Sequence, residues 1–254
     1  IDGLVKSPRS YDVDSIVKMH PSLEERVYRL RCVEGWSMVI PWIGIPLNSV
    51  IKAVQPLTLT IQEGEFVSIV GHSGSGKSTL LSLIGGIAHP DAGSVNIDGV
   101  NIRDYDEGKL SRLRNEKFGF VYQFASLIPT LTAAENVLLP SVFGKKKTRE
   151  DAVRLLELVG LGDKTDRYPS ELSGGEQQRV AIVRAFINAP QIILADEPTG
   201  DLDEETEAEI MSFFEKINKD KKVTMIMVTH SSELAIRAPR RLRMKNGNIE
   251  ELAV

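Results

Sequence analysis

Residues 71 to 79 read Gly71-His72-Ser73-Gly74-Ser75-Gly76-Lys77-Ser78-Thr79, which fits the phosphate-loop spacing G-x-x-x-x-G-K-[ST]. Gly74 and Gly76 let the backbone turn so that its N–H groups face inward. Lys77 is placed to reach the β- and γ-phosphates of a nucleotide, and the Ser78 hydroxyl to ligate Mg²⁺. Far along the chain, Asp196 and Glu197 stand together after the apolar run Gln191-Ile192-Ile193-Leu194-Ala195. One such carboxylate can hold Mg²⁺ through water while the next orients or deprotonates an attacking water. His230 follows a further apolar run, Val223 to Val228. Ser173-Gly174-Gly175-Glu176 has the spacing of a capping box, so it marks a second helix N-terminus suited to an anion.

These groups need elements to hold them. Phe66-Val67-Ser68-Ile69-Val70 reads as a buried strand entering the phosphate loop, and Leu80 to Ile84 as part of the helix leaving it. Leu57 to Ile61 alternates apolar and polar and predicts a half-exposed strand. Ser94 to Gly99 predicts another, ending at an Asp-Gly turn. Asp106 to Glu116 reads as helix and Lys117 to Tyr122 as a strand that ends at Gln123. Arg149 to Val159 has helical apolar spacing. Glu204 to Asn218 reads as a long helix, and Leu242 through Gly247 to Ile249 as a closing hairpin. Carboxylates and a histidine at the C-terminal ends of core strands are where ligands of open α/β sheets collect.

The chain has 254 residues, 42% hydrophobic and 26% charged, with a net charge of −4, as an ordinary globular α/β protein has. No overall basic field favours nucleic acid. The one cysteine, Cys32, leaves no intrachain disulfide framework. No apolar run approaches the ~18–20 residues of a membrane span. No signal peptide is visible, and the chain starts at Ile1 rather than Met, so further residues are expected ahead of it.

Residues 1 to 56 read differently. Asp12 to Met19 and Ser22 to Leu30 suit short helices or strands. Arg31-Cys32-Val33-Glu34-Gly35-Trp36-Ser37-Met38 holds the cysteine and the first of the two tryptophans, and Trp42 follows. This stretch resembles a segment of the molybdopterin-dependent, sulfite-oxidase-like reductases, the methionine-sulfoxide reductase type above all. The resemblance implies that Cys32 would be a molybdenum ligand, a role a soft thiolate suits. It covers only about residues 1 to 56, without the rest of that family's cofactor domain. An inert thiol in an incomplete fragment is the competing reading. The junction near Lys52 to Leu57 reads as a natural fusion, an engineered one or an assembly error.

From about Leu57 to Glu251 the chain resembles the nucleotide-binding subunits of ABC transporters. The likeness rests on six motifs in order: Gly71 to Thr79, Gln123, Leu172-Ser173-Gly174-Gly175-Glu176-Gln177, Asp196-Glu197, Asp203 and His230. Within that family, Leu127-Ile128-Pro129, Glu135-Asn136-Val137 and Thr199-Gly200-x-Leu202-Asp203 look like the macrolide-exporter and lipoprotein-release ATPases. The resemblance implies an α/β fold: a P-loop NTPase core with a mixed sheet, a small antiparallel β subdomain and an inserted helical subdomain at about 105 to 185. It also implies a head-to-tail homodimer with two ATP at the interface, powering a separately encoded transmembrane permease from the cytoplasmic face of the inner membrane.

By this resemblance the phosphate loop, from Gly71 and His72 to Ser78 and Thr79, holds ATP. Ser78, Gln123 and Asp196 serve Mg²⁺, Glu197 activates water and His230 senses the γ-phosphate. Ser173, Gly174 and Gly175 meet the partner's nucleotide, and Asp203 couples the two sites. The family's adenine-stacking aromatic is not matched, and Trp42 is the candidate substitute. Three other functions compete: a nucleotide-binding fusion with impaired or no ATPase activity, a molybdopterin oxidoreductase fragment, and a non-transport ATPase acting on nucleic acid.

Overall fold

The computed structural model describes residues 24–31, 37–44, 57–144, 146–200, 202–245 and 247–252, the first two stretches as backbone alone. Those two stretches are strands β1 (Glu24–Arg31) and β2 (Ser37–Gly44). They pair antiparallel from Glu24↔Gly44 to Arg31↔Ser37. Cys32, Trp36 and the expected molybdenum ligation lie outside the described residues, as does the side chain of Trp42.

The central element is a six-stranded sheet. Its strands are β3 (Phe66–Val70), β6 (Phe118–Val121), β7 (Ile192–Asp196), β8 (Thr224–Thr229), β9 (Arg240–Lys245) and β10 (Asn248–Glu251). A separate hairpin joins β4 (Asn96–Ile97) to β5 (Val100–Asn101). The sheet order is β10-β9-β3-β8-β7-β6. β3 runs parallel to both β8 and β9, β7 runs parallel to both β6 and β8, and β10 turns back antiparallel on β9. Parallel strands require crossovers that cover both faces. All of β3 and all of β8 are accordingly buried. The Asp98-Gly99 turn adopts positive φ at both positions, 52° and 79°, the geometry a two-residue hairpin demands.

Period-two alternation sorts the core into two layers. Val67, Ile69, Leu194, Ile226, Val228 and Leu242 meet Leu80 and Leu81 of α1 (Lys77–Ile84) on one face. Phe66, Ile193, Ala195, Met225 and Met227 point to the other, against a larger helical layer. After α2 (Glu107–Lys117), that layer draws on α3 (Ala133–Leu138), α4 (Arg149–Glu157), α5 (Gly174–Phe186) and α6 (Glu204–Lys221). Helices α3, α4 and α5 fall in sequence between the neighbouring strands β6 and β7, and each opens on a reciprocal capping box: Thr132 with Glu135, Thr148 with Asp151, Ser173 with Glu176. α6 carries Glu204, Glu205 and Glu207 in its first turn and Lys219 and Lys221 in its last, each sign at the end of the helix dipole that favours it. A short α7 (Ser232–Ala235) ends on the same face, where Ser68 Oγ donates to the Ala235 carbonyl at 2.9 Å.

One expectation fails. Leu57 to Ile61 is not a strand. The expected alternation is there, with Leu57, Leu59 and Ile61 half-buried against the α1-side cluster and Thr58 and Thr60 exposed. No ladder partner faces it among the described residues. Its one tie there is side chain to backbone, from Arg240 to the Thr60 carbonyl at 2.8 Å. Alternation reports which side is buried, while a strand also needs a neighbour. Among the described residues no helix is long and apolar enough to cross a membrane.

Candidate functional site

Four neighbouring parallel strands, β3, β8, β7 and β6, end on one edge of the sheet. The residues after them are the phosphate loop, His230, Glu197 with Asp196 at the strand end, and Gln123. The topology thus collects four of the six sequence motifs where open α/β sheets hold ligands.

The phosphate loop is built for an anion. Gly76 caps α1 with φ 100°, a left-handed conformation, and no side chain caps the helix, so the N–H groups of the first turn point at an open position. Gly71 is needed for space: a Cβ there would lie 2.5 Å from the Met244 carbonyl oxygen and 2.7 Å from Ser75 Oγ. Lys77 is buried, and its Nζ donates to the carbonyls of Gly71 at 2.7 Å and His72 at 3.2 Å. The ammonium is therefore held inside the loop. Ser75 Oγ is buried with no hydrogen-bond partner. Ser78 and Thr79 stand exposed at the helix start.

One strand over, Glu197 leaves β7 in the left-handed region at φ 47°, a conformation that costs a non-glycine residue roughly 1 kcal/mol. Its N–H donates to the Val228 carbonyl at 2.9 Å. Its carboxylate receives the His230 N–H at 3.3 Å, and His230 Nδ1 lies 2.7 Å away. The carboxylate is mostly buried and the imidazole mostly exposed. A mostly buried carboxylate in contact with an exposed imidazole at a strand end can hold a water and meet a phosphate.

Gln123 is exposed on the loop after β6. Two buried side chains, Asn136 and Gln178, and the half-buried Arg184 shape that loop, and sequence reasoning assigned none of them a place in it. Asn136 receives the Ile128 N–H at 2.8 Å and donates to the Ile128, Leu131 and Thr132 carbonyls at 3.1, 2.9 and 3.0 Å. Arg184 donates to the Ala125 and Ser126 carbonyls at 2.9 and 3.0 Å, and burial holds its pKa below the ordinary arginine value. Gln178 donates to the Tyr122 carbonyl. The signal available in sequence was weak: polar residues on the apolar stripe of a helix must find partners, but for Gln178 and Arg184 those partners are backbone atoms of a distant loop.

Ser173 caps α5 as expected. Its Oγ accepts from the Glu176 N–H at 3.3 Å, and Glu176 accepts from the Ser173 N–H at 2.8 Å. The hydrogen-bonded Lys164 ammonium, followed by that N–H, holds the Glu176 carboxyl below the usual carboxylate range. Asp203 caps α6, accepting from Thr206 N–H and Oγ1, both at 2.9 Å. Among the described residues no hydrogen bond joins Ser173, Gly174, Gly175 or Asp203 to the phosphate loop, Gln123, Glu197 or His230. One chain thus presents two separate helix N-termini, an uncapped one at the phosphate loop and one capped by Ser173.

An uncapped helix start, an unpartnered buried hydroxyl and a confined ammonium fit a nucleotide triphosphate. No three His, Cys, Asp or Glu side chains form a metal cage among the described residues.

The family model for ABC transporters matches residues 54–200. The chain is 50% identical over 201 residues to the lipoprotein-releasing system ATP-binding protein LolD of Aquifex aeolicus, covering 78% of this chain and 89% of that one. It is 42% identical over 206 residues to the macrolide export ATP-binding/permease protein MacB of Rhodopirellula baltica, of which it spans only 30%, with 79% of this chain covered. Among solved structures, the post-hydrolysis dimer of the ATP-binding cassette MJ0796 with ADP and Pi is similar with a TM-score of 0.74 and 38% identity, over 91% of this chain and 98% of that one. The chain belongs to the ABC transporter family. It has the P-loop ATPase fold of that family's ATP-binding cassettes and is an ABC-type ATPase subunit.

Proposed function

We propose that this chain binds ATP with Mg²⁺, pairs head to tail with a second copy, and hydrolyses ATP to drive a separately encoded membrane permease of the export or lipoprotein-release type. The observation that carries this reading is the juxtaposition at one sheet edge of an uncapped, lysine-lined phosphate loop and a carboxylate in contact with His230. Lys77 and the loop from Gly71 to Thr79 hold the phosphates. Ser78 and Gln123 ligate the metal and Asp196 supports its shell; bound there, Mg²⁺ offsets charge on the phosphates. Glu197 orients and deprotonates the attacking water, and His230 follows the γ-phosphate. Ser173, Gly174 and Gly175 serve the partner's nucleotide, which gives the second helix N-terminus its use. Asp203 couples the two sites. Catalysis of this kind is positioning and electrostatics. The permease contact places the chain on the cytoplasmic face of the inner membrane.

The test compares ATP turnover of the wild type with Glu197→Gln, each run on gel filtration with and without ATP. The expected result is a turnover loss of about 100-fold or more with an ATP-dependent dimer retained. Wild-type turnover in the variant would overturn the assignment of Glu197.

A further inference from the structure

We propose that Gln178 is a positioning residue for this hydrolysis, holding the loop that bears Gln123 and the loop that bears Glu197 in one fixed relation. The inference rests on the roles proposed above for those two residues. Gln178 is 5% exposed. Its Nε2 donates at 2.9 Å to the Tyr122 carbonyl and at 3.0 Å to the Pro198 carbonyl. An amide nitrogen has two hydrogens, and both are used here. One carbonyl belongs to the residue before Gln123, the other to the residue after Glu197.

The need for such a tie follows from the ladder. β6 and β7 pair only as far as Val121↔Ala195. Beyond it the two strands form no further pair, and Glu197 turns into the left-handed region. The carboxamide supplies the next rung in place of the backbone. Among the described residues it makes the only side-chain hydrogen bonds that reach both loops. It also sits on α5, the helix whose first turn holds Ser173, Gly174 and Gly175. One side chain therefore sets the relation between the metal-side glutamine, the water-side glutamate and the helix offered to the partner site. Neither carbonyl touches substrate, so the effect is one of placement.

The experiment uses the full chain. Gln178→Met keeps the length and removes both donors. In the nucleotide-free protein, amide exchange should rise at least about fivefold in residues 122–128 and 197–200 and stay at the wild-type level in residues 66–70. With ATP and Mg²⁺, kcat should fall about 10- to 100-fold while KM for ATP changes less than about twofold. Wild-type kcat would overturn the proposal. So would a uniform rise in exchange with a matching loss of nucleotide-binding capacity, the mark of a merely structural role.

Gln178→Glu decides the matter if the methionine variant does not fold. At high pH its carboxylate donates to neither carbonyl, and once protonated it regains one donor. Its turnover relative to wild type should therefore be at least about threefold higher at pH 6 than at pH 8.5, and a flat ratio overturns the proposal. Glu197→Gln serves as the control. If it is inactive while both Gln178 variants turn over as wild type, this inference alone fails. If Glu197→Gln is itself active, the reading of the site fails and takes this inference with it.

Discussion

Gly71 is chosen by contact. The Met244 carbonyl of β9 and the Ser75 hydroxyl close in on the place where a Cβ would stand, and one of the two is backbone that cannot rotate away. Gly71→Ala should therefore destabilise the chain by about 1–3 kcal/mol and weaken nucleotide binding. Urea denaturation together with fluorescent-nucleotide titration reads both, and unchanged midpoints would refute the crowding. Lys77 illustrates the same economy of space: its ammonium already donates to two loop carbonyls, so the cation is in place before any phosphate arrives. Ser75 Oγ, buried without a partner, marks where the folded loop leaves hydrogen-bonding capacity for a ligand.

At the scale of elements, three helices of the layer between β6 and β7 start on capping boxes. In the α3 box, hydrogen bonds from the Thr132 backbone and then its hydroxyl hold the Glu135 carboxyl below the usual carboxylate range. A group whose folded pKa is depressed contributes stability above its unfolded pKa and loses it as pH falls through the folded value. The wild type should therefore be more stable than Glu135→Gln near pH 7, and the gap should close as pH falls from about 5 to about 3; thermal melts across that range check it, and a constant gap would contradict it. The box at Ser173 and Glu176 was legible in sequence, as were β3, the loop and α1, because each is written in adjacent residues. The strand expected at Leu57 to Ile61 was not real, since alternation carries no information about a pairing partner. Gln178 and Arg184 gave no sign of their contacts, because their acceptors are carbonyls 20 to 59 residues away. Nor did the order of strands show itself: β3 lies between β8 and β9, and no local pattern announces that.

For the whole molecule, the telling contacts are those between residues far apart in sequence. Arg240 on β9 donates to the Thr60 carbonyl at 2.8 Å and to Glu65 at 2.9 Å, and meets Glu251 on β10 at 3.3 Å. Arg240→Met should lower stability by about 1 kcal/mol, with partial exposure limiting the charged part. The loss should be largest at low salt, and a melting temperature equal to wild type at every salt concentration would show the ties to be idle. The same topology bears on biosynthesis. Strand β3 is walled on both sides by strands made much later: Gly64 bonds to Thr224 across 160 residues, and the carbonyl that backs Gly71 belongs to Met244. At about 5–20 residues per second, a ribosome exposes the phosphate loop many seconds before either neighbour exists. A nascent chain therefore has its most recognisable motif early and its nucleotide pocket only once β8 and β9 have followed, which leaves a long interval in which a chaperone, rather than ATP, is the partner available to it.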